Sequence, residues 1–189
     1  KYMKREFTVG EMAKVLNVAR TTVINWIKEG RMEAFQLPGG NNRVTRENLV
    51  KFMNEYNIPL QFLEDSTFQR ILIIDDKEKD LKACTKAFEK EAFFKVETAK
   101  TAFEAAMQLK SFNPHVIILN INIKEFETKE ALQLIRSDPE LKESPIIALT
   151  GKMNKDEKKK LLDSGFTMCL EKPLNVAELV SNVRNMMGI

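Results

Sequence analysis

Four apolar runs in the C-terminal two-thirds of this chain each end in a polar group. Arg70-Ile-Leu-Ile-Ile-Asp75-Asp76 ends in adjacent carboxylates, and Val116-Ile-Ile-Leu-Asn120 ends in an amide. Pro145-Ile-Ile-Ala-Leu-Thr150 ends in a hydroxyl, and Met168-Cys-Leu-Glu-Lys172-Pro173 ends in an ammonium followed by proline. The carboxyl ends of parallel strands are where a helix-covered sheet binds ligands. Gathered there, the acids, amide, hydroxyl and lysine can also satisfy one another as a buried polar network. A second set lies near the N-terminus: Arg20, Thr21, Thr22, Asn25, Lys28, Arg43 and Arg46. Hydroxyls and helix amides position phosphates, while Asn and Arg pair with base edges in the major groove. No nucleophile and base pair, metal cluster or phosphate-cradling glycine loop accompanies either set, so no catalytic residue is expected.

Two kinds of element must position these groups. From residue 70 onward, strands and helices alternate five times, with helices expected near 80–91, 101–111, 128–137, 154–164 and 176–187. The intervening strands are continuous apolar runs, as in a parallel sheet covered on both faces. Before residue 57 the pattern differs. Thr8 with Glu11 three residues later marks a helix start, followed by Met12, Ala13, Val15 and Leu16 at helical spacing. A turn at Asn17-Val18 leads to a second helix over about Arg20 to Glu29, with Val23, Ile24, Trp26 and Ile27 turned inward and Gly30 as its stop. Two short strands then flank Pro38-Gly39-Gly40-Asn41-Asn42, and Thr45 caps a third helix carrying Leu49, Val50, Phe52 and Met53.

The four strand ends resemble those of a response-regulator receiver domain. The resemblance implies that Asp75 and Asp76 hold a divalent cation, that the third strand ends in the phosphate acceptor, and that Thr150 and Lys172 contact the phosphoryl group. The acceptor position reads Asn120. Phosphoryl transfer to a carboxylate needs an anionic in-line oxygen and a metal to neutralise charge. An amide oxygen is a poor nucleophile, and the exchange removes one negative charge. No cofactor is therefore expected beyond a weakly held Mg²⁺ at Asp75 and Asp76, and Lys172 can pair with those carboxylates directly. The loop Asn120-Ile-Asn-Ile-Lys124 also lacks the family's proline four residues after the acceptor, and Cys169 replaces the aromatic three residues before the lysine. A deliberate exchange would explain Asn120 but neither Lys124 nor Cys169.

Residues 5–56 resemble the MerR and excisionase-type winged helix-turn-helix, in the short BldC-like form. The likeness rests on Thr8-Val-Gly-Glu-Met-Ala13, Thr21-Thr22-Val23-Ile24-Asn25-Trp26 and the wing Leu37-Pro-Gly-Gly-Asn-Asn-Arg43. The family wing carries histidine and a basic residue where Asn41 and Asn42 stand, which implies weaker phosphate contacts.

Charge is divided in the same way. Residues 1–60 hold ten Lys or Arg against six Glu, net +4, leaving −1 of the overall +3 for the remainder. A basic module joined to a near-neutral one implies that the first meets a polyanion. Cys84 and Cys169 lack metal-ligand spacing, and the single histidine, His115, builds no cluster. No run approaches the roughly 20 apolar residues of a membrane span and no leader pattern opens the chain, so a cytoplasmic location is expected. The run Lys155-Asp-Glu-Lys158-Lys-Lys160 reads as a solvated helical face.

The expected fold class is α+β with two domains: a winged helix-turn-helix over 1–56, a linker over 57–69, and a (βα)5 flavodoxin-like, doubly wound parallel sheet over 70–189. The linker carries Ile58, Leu60, Phe62 and Leu63, so it is expected to pack. The expected function is that of a bacterial DNA-binding transcription regulator whose receiver supports self-association, as a homodimer or higher oligomer, or docks a protein partner without phosphorylation. Two alternatives stay open: an adaptor that grips protein rather than free DNA, and a conventional phospho-accepting regulator carrying an engineered Asn120.

Overall fold

A computed structural model describes residues 6–63, 68–91, 93–124 and 127–188. The chain divides into two compact units, Lys1–Phe68 and Gln69–Ile189. In the first, β1 (Glu6–Thr8), α1 (Val9–Val15), α2 (Arg20–Lys28), β2 (Phe35–Gln36), β3 (Asn42–Thr45) and α3 (Arg46–Glu55) follow one another. Thr8 and Glu11 form the reciprocal capping box. The Glu11 amide donates to the Thr8 hydroxyl at 3.1 Å, and the Thr8 amide donates to the Glu11 carboxylate at 3.0 Å. Thr45 caps α3 through the Asn48 amide at 3.2 Å.

The strands β2 and β3 form the expected antiparallel wing, and β1 adds a third strand on the other side of β3. This strand was not anticipated, because three residues are too short to show a period. Met12, Val23, Met32, Val44, Leu49 and Met53 make the core, with Trp26 against Phe52 at 5.0 Å between ring centroids. The tip turns at Gly39 and Gly40, whose φ angles of 104° and 81° lie in the left-handed region that glycine adopts without a Cβ clash. Within the segment expected as a linker, Leu60–Phe62 forms a 3₁₀ turn against α3, and Leu63 is buried.

The second unit alternates β4 (Gln69–Ile74), α4 (Glu78–Glu89), β5 (Phe94–Ala99), α5 (Ala102–Phe112), β6 (Val116–Asn120), α6 (Thr128–Ser137), β7 (Ile146–Thr150), α7 (Lys155–Asp163), β8 (Met168–Glu171) and α8 (Val176–Met187). Its five strands are all parallel in the order β5-β4-β6-β7-β8. Every residue of β6 and β7 is buried, which explains the apolar runs that precede their polar last residues, Asn120 and Thr150. The chain goes from β4 to the neighbour on one side and then crosses to β6 on the other. The strand order therefore reverses between β4 and β6, which opens a crevice at their carboxyl ends.

Candidate functional site

That crevice collects the expected polar groups. Asp75 follows β4 and is fully buried, Asn120 ends β6 and is 2% exposed, and Thr150 ends β7 and is buried. Lys172 follows β8, held by its amide donating to the Thr150 carbonyl at 2.7 Å. The Asn120 amide group donates to Asp75 Oδ1 at 3.0 Å and to Asp76 Oδ1 at 3.2 Å, bridging the two carboxylates. Its own oxygen accepts the Asn122 amide at 3.1 Å. Asp75 Oδ1 also accepts the Lys77 amide at 3.0 Å.

The Lys172 ammonium donates to Asp75 Oδ2 at 2.5 Å and to Asp80 Oδ2 at 2.6 Å. This differs from the expectation that it pairs with Asp75 and Asp76. Asp76 is exposed and is tied to Asn120 instead, while the third carboxylate comes from Asp80 in the first turn of α4. Burial opposes the charge on Lys172, but the bonds to Asp75 and Asp80 outweigh it and hold its pKa above the usual lysine value. Burial, with the negative field of Asp80 and Asp75, pushes the Cys84 thiol up to about 11. That thiol is protonated and inert at neutral pH.

A magnesium ion requires an octahedron of oxygens. Between Asp75 and Asp76 the third strand presents amide hydrogens rather than a third oxygen. Both Asp75 oxygens are already accepting hydrogen bonds. In this arrangement the residues do not present a magnesium ligand set. Cys169, three residues before Lys172, is buried in β8, so a small thiol occupies the position of the family aromatic.

On the first unit, Arg20, Thr21, Asn25 and Lys28 are exposed on α2, Thr22 is half-buried, and Arg43 is half-buried on β3. Thr21, Asn25 and Lys28 repeat at i, i+4 and i+7 and so share one face. Among the described residues, the side chains of Arg20, Thr21, Asn25 and Lys28 are not engaged in hydrogen bonds or ion pairs. The N-cap of α2 is Ala19, which supplies no side-chain acceptor. The Thr22 amide donates to the Ala19 carbonyl at 3.0 Å, and the Arg20 and Thr21 amides before it have no side-chain cap, whereas α1 and α3 are capped by Thr8 and Thr45. A Cβ added to Gly10 would come within 3.0–3.2 Å of the Arg20 guanidinium, so that side chain lies directly on the bare backbone of α1.

Arg46 is a correction. Expected as a DNA contact, it is fully buried, with its guanidinium 4.1 Å from the centroid of the Phe68 ring. Burial lowers its pKa to about 10. A basic residue after a capping threonine reads as surface, and nothing in the sequence marks this one as an aromatic-stacked core group. Arg43 donates to the Asn42 carbonyl at 3.4 Å, within its own wing.

The chain matches the family model for the response regulator receiver domain over residues 71–184 and that for a helix-turn-helix domain over residues 6–57. It is 22% identical over 118 residues to the polar-differentiation response regulator DivK of Brucella abortus, covering 62% of this chain and 95% of that protein. Among solved structures it is similar to the signal receiver domain of a DNA-binding response regulator protein (merR) from Colwellia psychrerythraea 34H. The identity is 25% and the TM-score 0.59, covering 64% of this chain and 98% of the other. A response regulator from Desulfuromonas acetoxidans gives 27% identity and a TM-score of 0.57, covering 64% and 98%. No helix among the described residues is long and apolar enough to cross a membrane.

Proposed function

From the premise that this chain belongs to the response-regulator receiver family and carries a helix-turn-helix DNA-binding domain, we propose that it regulates transcription with a receiver that works without phosphate. The carrying observation is the bridge of Asn120 to Asp75 and Asp76 together with the clamp of Lys172 on Asp75 and Asp80. In a phospho-accepting site, a cation and a carboxylate oxygen would stand where these hydrogens stand. Here the ammonium and the amide hydrogens meet the negative charge instead, and the state is built into the sequence rather than switched by a ligand.

The winged unit is of MerR type in this reading, and it meets duplex DNA. Arg20 and the first amides of α2 hold a phosphate, Thr21 and Thr22 position the helix, Asn25 faces base edges, and Lys28 and Arg43 reach the backbone. A unit of this size makes few contacts alone. The receiver therefore serves to join copies and place two winged units on adjacent half-sites, where linked binding raises affinity. The test is retention of fragmented source genomic DNA at low and near-physiological salt, with Arg43→Ala as the control. Discrete sites enriched at the higher salt and lost in the control support the reading. Salt-sensitive retention without enrichment, equal in both proteins, contradicts it. That second outcome favours an adaptor role, for which the wing tip Gly39-Gly40-Asn41-Asn42, bare of basic residues, is the supporting feature.

A further inference from the structure

Helix α7 carries Lys155, Lys158, Lys159 and Lys160, and Lys152 stands three residues before it. All five are exposed, in agreement with the solvated face expected of this run. The arrangement of charge goes further than solvation. Lys155, Lys158 and Lys159 stand at i, i+3 and i+4 and so share one side of the helix, beside the exposed Leu162 at i+7. Asp156 and Asp163, themselves seven residues apart, share a different side. The Glu157 carboxylate is committed to the helix start, where it accepts the Asn154 amide at 2.9 Å. Among the described residues, Lys82, Lys100 and Lys110 of the receiver meet carboxylates, whereas none of these five lysines does.

Such a stripe works against the helix that carries it. Like charges four residues apart, as Lys155 and Lys159 are, destabilise a helix, and α7 buries no side chain that would account for them by packing. Nor does the stripe extend a generally basic surface, because residues 61–189 carry a net charge of −1. A row of anions relieves the repulsion. Duplex DNA offers one phosphate per roughly 1.7 Å of its axis, and it is the polyanion that the helix-turn-helix domain of this chain binds. The last helix of the winged unit ends at Glu55 and the first receiver strand begins at Gln69. The receiver is therefore held on a short tether near any duplex that the winged unit grips, and tethering lets contacts too weak to act alone add to affinity. The start of α7 is closed by Asn154 and Glu157, so the lysine side chains rather than the helix amides are what a phosphate meets.

We propose that the α7 face formed by Lys155, Lys158 and Lys159 is a second, sequence-independent contact to the DNA backbone, supplied by the receiver in support of the winged unit. This rests on the DNA-binding reading above. The test measures binding of the full chain to a duplex of arbitrary sequence across a salt series. Four proteins are compared: the wild type, the triple variant Lys155→Gln, Lys158→Gln, Lys159→Gln, the same three positions changed to Arg, and a scattered triple Lys90→Gln, Lys129→Gln, Lys142→Gln. Each phosphate contact adds about 0.9 to the slope of log affinity against log salt, so the α7 glutamine triple is expected to flatten that slope by about 2.7. The arginine triple is expected to keep it. The scattered triple, which removes the same charge from exposed positions elsewhere on the receiver, is expected to leave it nearly unchanged. Melting temperatures are expected to stay at the wild-type value, because the three α7 lysines are exposed and unpaired. A wild type that binds no duplex overturns the DNA-binding reading and this face together. A wild-type slope retained by the α7 glutamine triple, or flattened equally by the scattered one, overturns the face alone. So does an α7 glutamine triple that keeps its DNA affinity and loses binding to poly-glutamate, which assigns the lysines to an acidic protein partner.

Discussion

The two units use their polar side chains in opposite directions. In the receiver crevice, Asp75, Asp76, Asp80, Asn120 and Lys172 are turned on one another. On the winged unit, Arg20, Thr21, Asn25 and Lys28 point outward, and the helix that carries them lacks a capping side chain. A site that satisfies itself gains order and loses appetite for ligands, while one left unsatisfied waits for a polyanion. The difference teaches that the presence of a family's residues is a weaker guide than the direction in which they donate. Here the Asn120 amide donates to both acids of the pair and Lys172 donates to Asp75 and Asp80, so the cluster is closed by its own hydrogen bonds.

The largest expected effect comes from opening the closed cluster. Lys172→Ala leaves the buried Asp75 charge without its ammonium, and breaking a buried pair from one side costs about 3–5 kcal/mol. Trp26 is the sole tryptophan and lies in the winged unit, so its fluorescence reports one half, while far-UV circular dichroism is weighted toward the larger receiver. Urea denaturation is expected to move the dichroism transition well below that of the wild type and to leave the Trp26 transition in place. A shift of both by the same amount breaks the contrast between the units. The Lys172 contribution has a defined pH window. Its pKa is raised on folding, so the stabilisation is complete at neutral pH and fades only as the pH climbs past the ordinary lysine value of 10.5 and through the raised one.

A smaller effect separates the units by acid. Burial, reinforced by the Arg70 charge, lowers the His115 pKa from 6.5 to about 4. The Nδ1 atom of His115 accepts the Arg70 amide at 3.3 Å, which also requires the neutral ring. The unfolded chain then binds more protons than the folded one between these values. Stability is complete above pH 6.5 and falls by roughly 2–3 kcal/mol as the pH drops to 4. His115 is the only histidine, so this decline belongs to the receiver, and His115→Gln is expected to flatten it. An unchanged slope in that variant removes the residue from the account.

The smallest effect concerns Gly10. Alanine is favoured over glycine in a helix by about 1 kcal/mol, so Gly10→Ala is expected to leave the fold intact or slightly firmer. The new methyl displaces the Arg20 guanidinium, and DNA affinity is expected to drop nonetheless. Arg20→Ala alone weakens binding across sequences and lowers the salt slope by about 1. The double variant is expected to bind no worse than Arg20→Ala, since both changes act through one side chain. Additive losses would show that Gly10 matters for another reason.

Much of this was legible in the chain because two periodicities carry it. The helix expected at 128–137 is α6, Thr128–Ser137, and the apolar runs became β4, β6 and β7, whose ends meet as expected. What stayed hidden depends on contacts between distant residues. Asp80 reads as an ordinary acidic residue at a helix start, favourable with the dipole there. Only the return of the chain through β8 brings Lys172 to it. Arg46 was misplaced for the same reason, since the ring that covers its guanidinium is 22 residues further along. The succession of receiver strands and helices along the chain was readable from alternation, whereas the order of the strands in the sheet and the inward turn of Asn120 required coordinates.

The most direct test compares DNA-binding isotherms of the wild type with and without a small-molecule phosphoryl donor and Mg²⁺, alongside intact-mass measurement of the same samples. The account predicts no added phosphate and superimposed isotherms. A phosphorylated wild type whose isotherm shifts with the modification would contradict it.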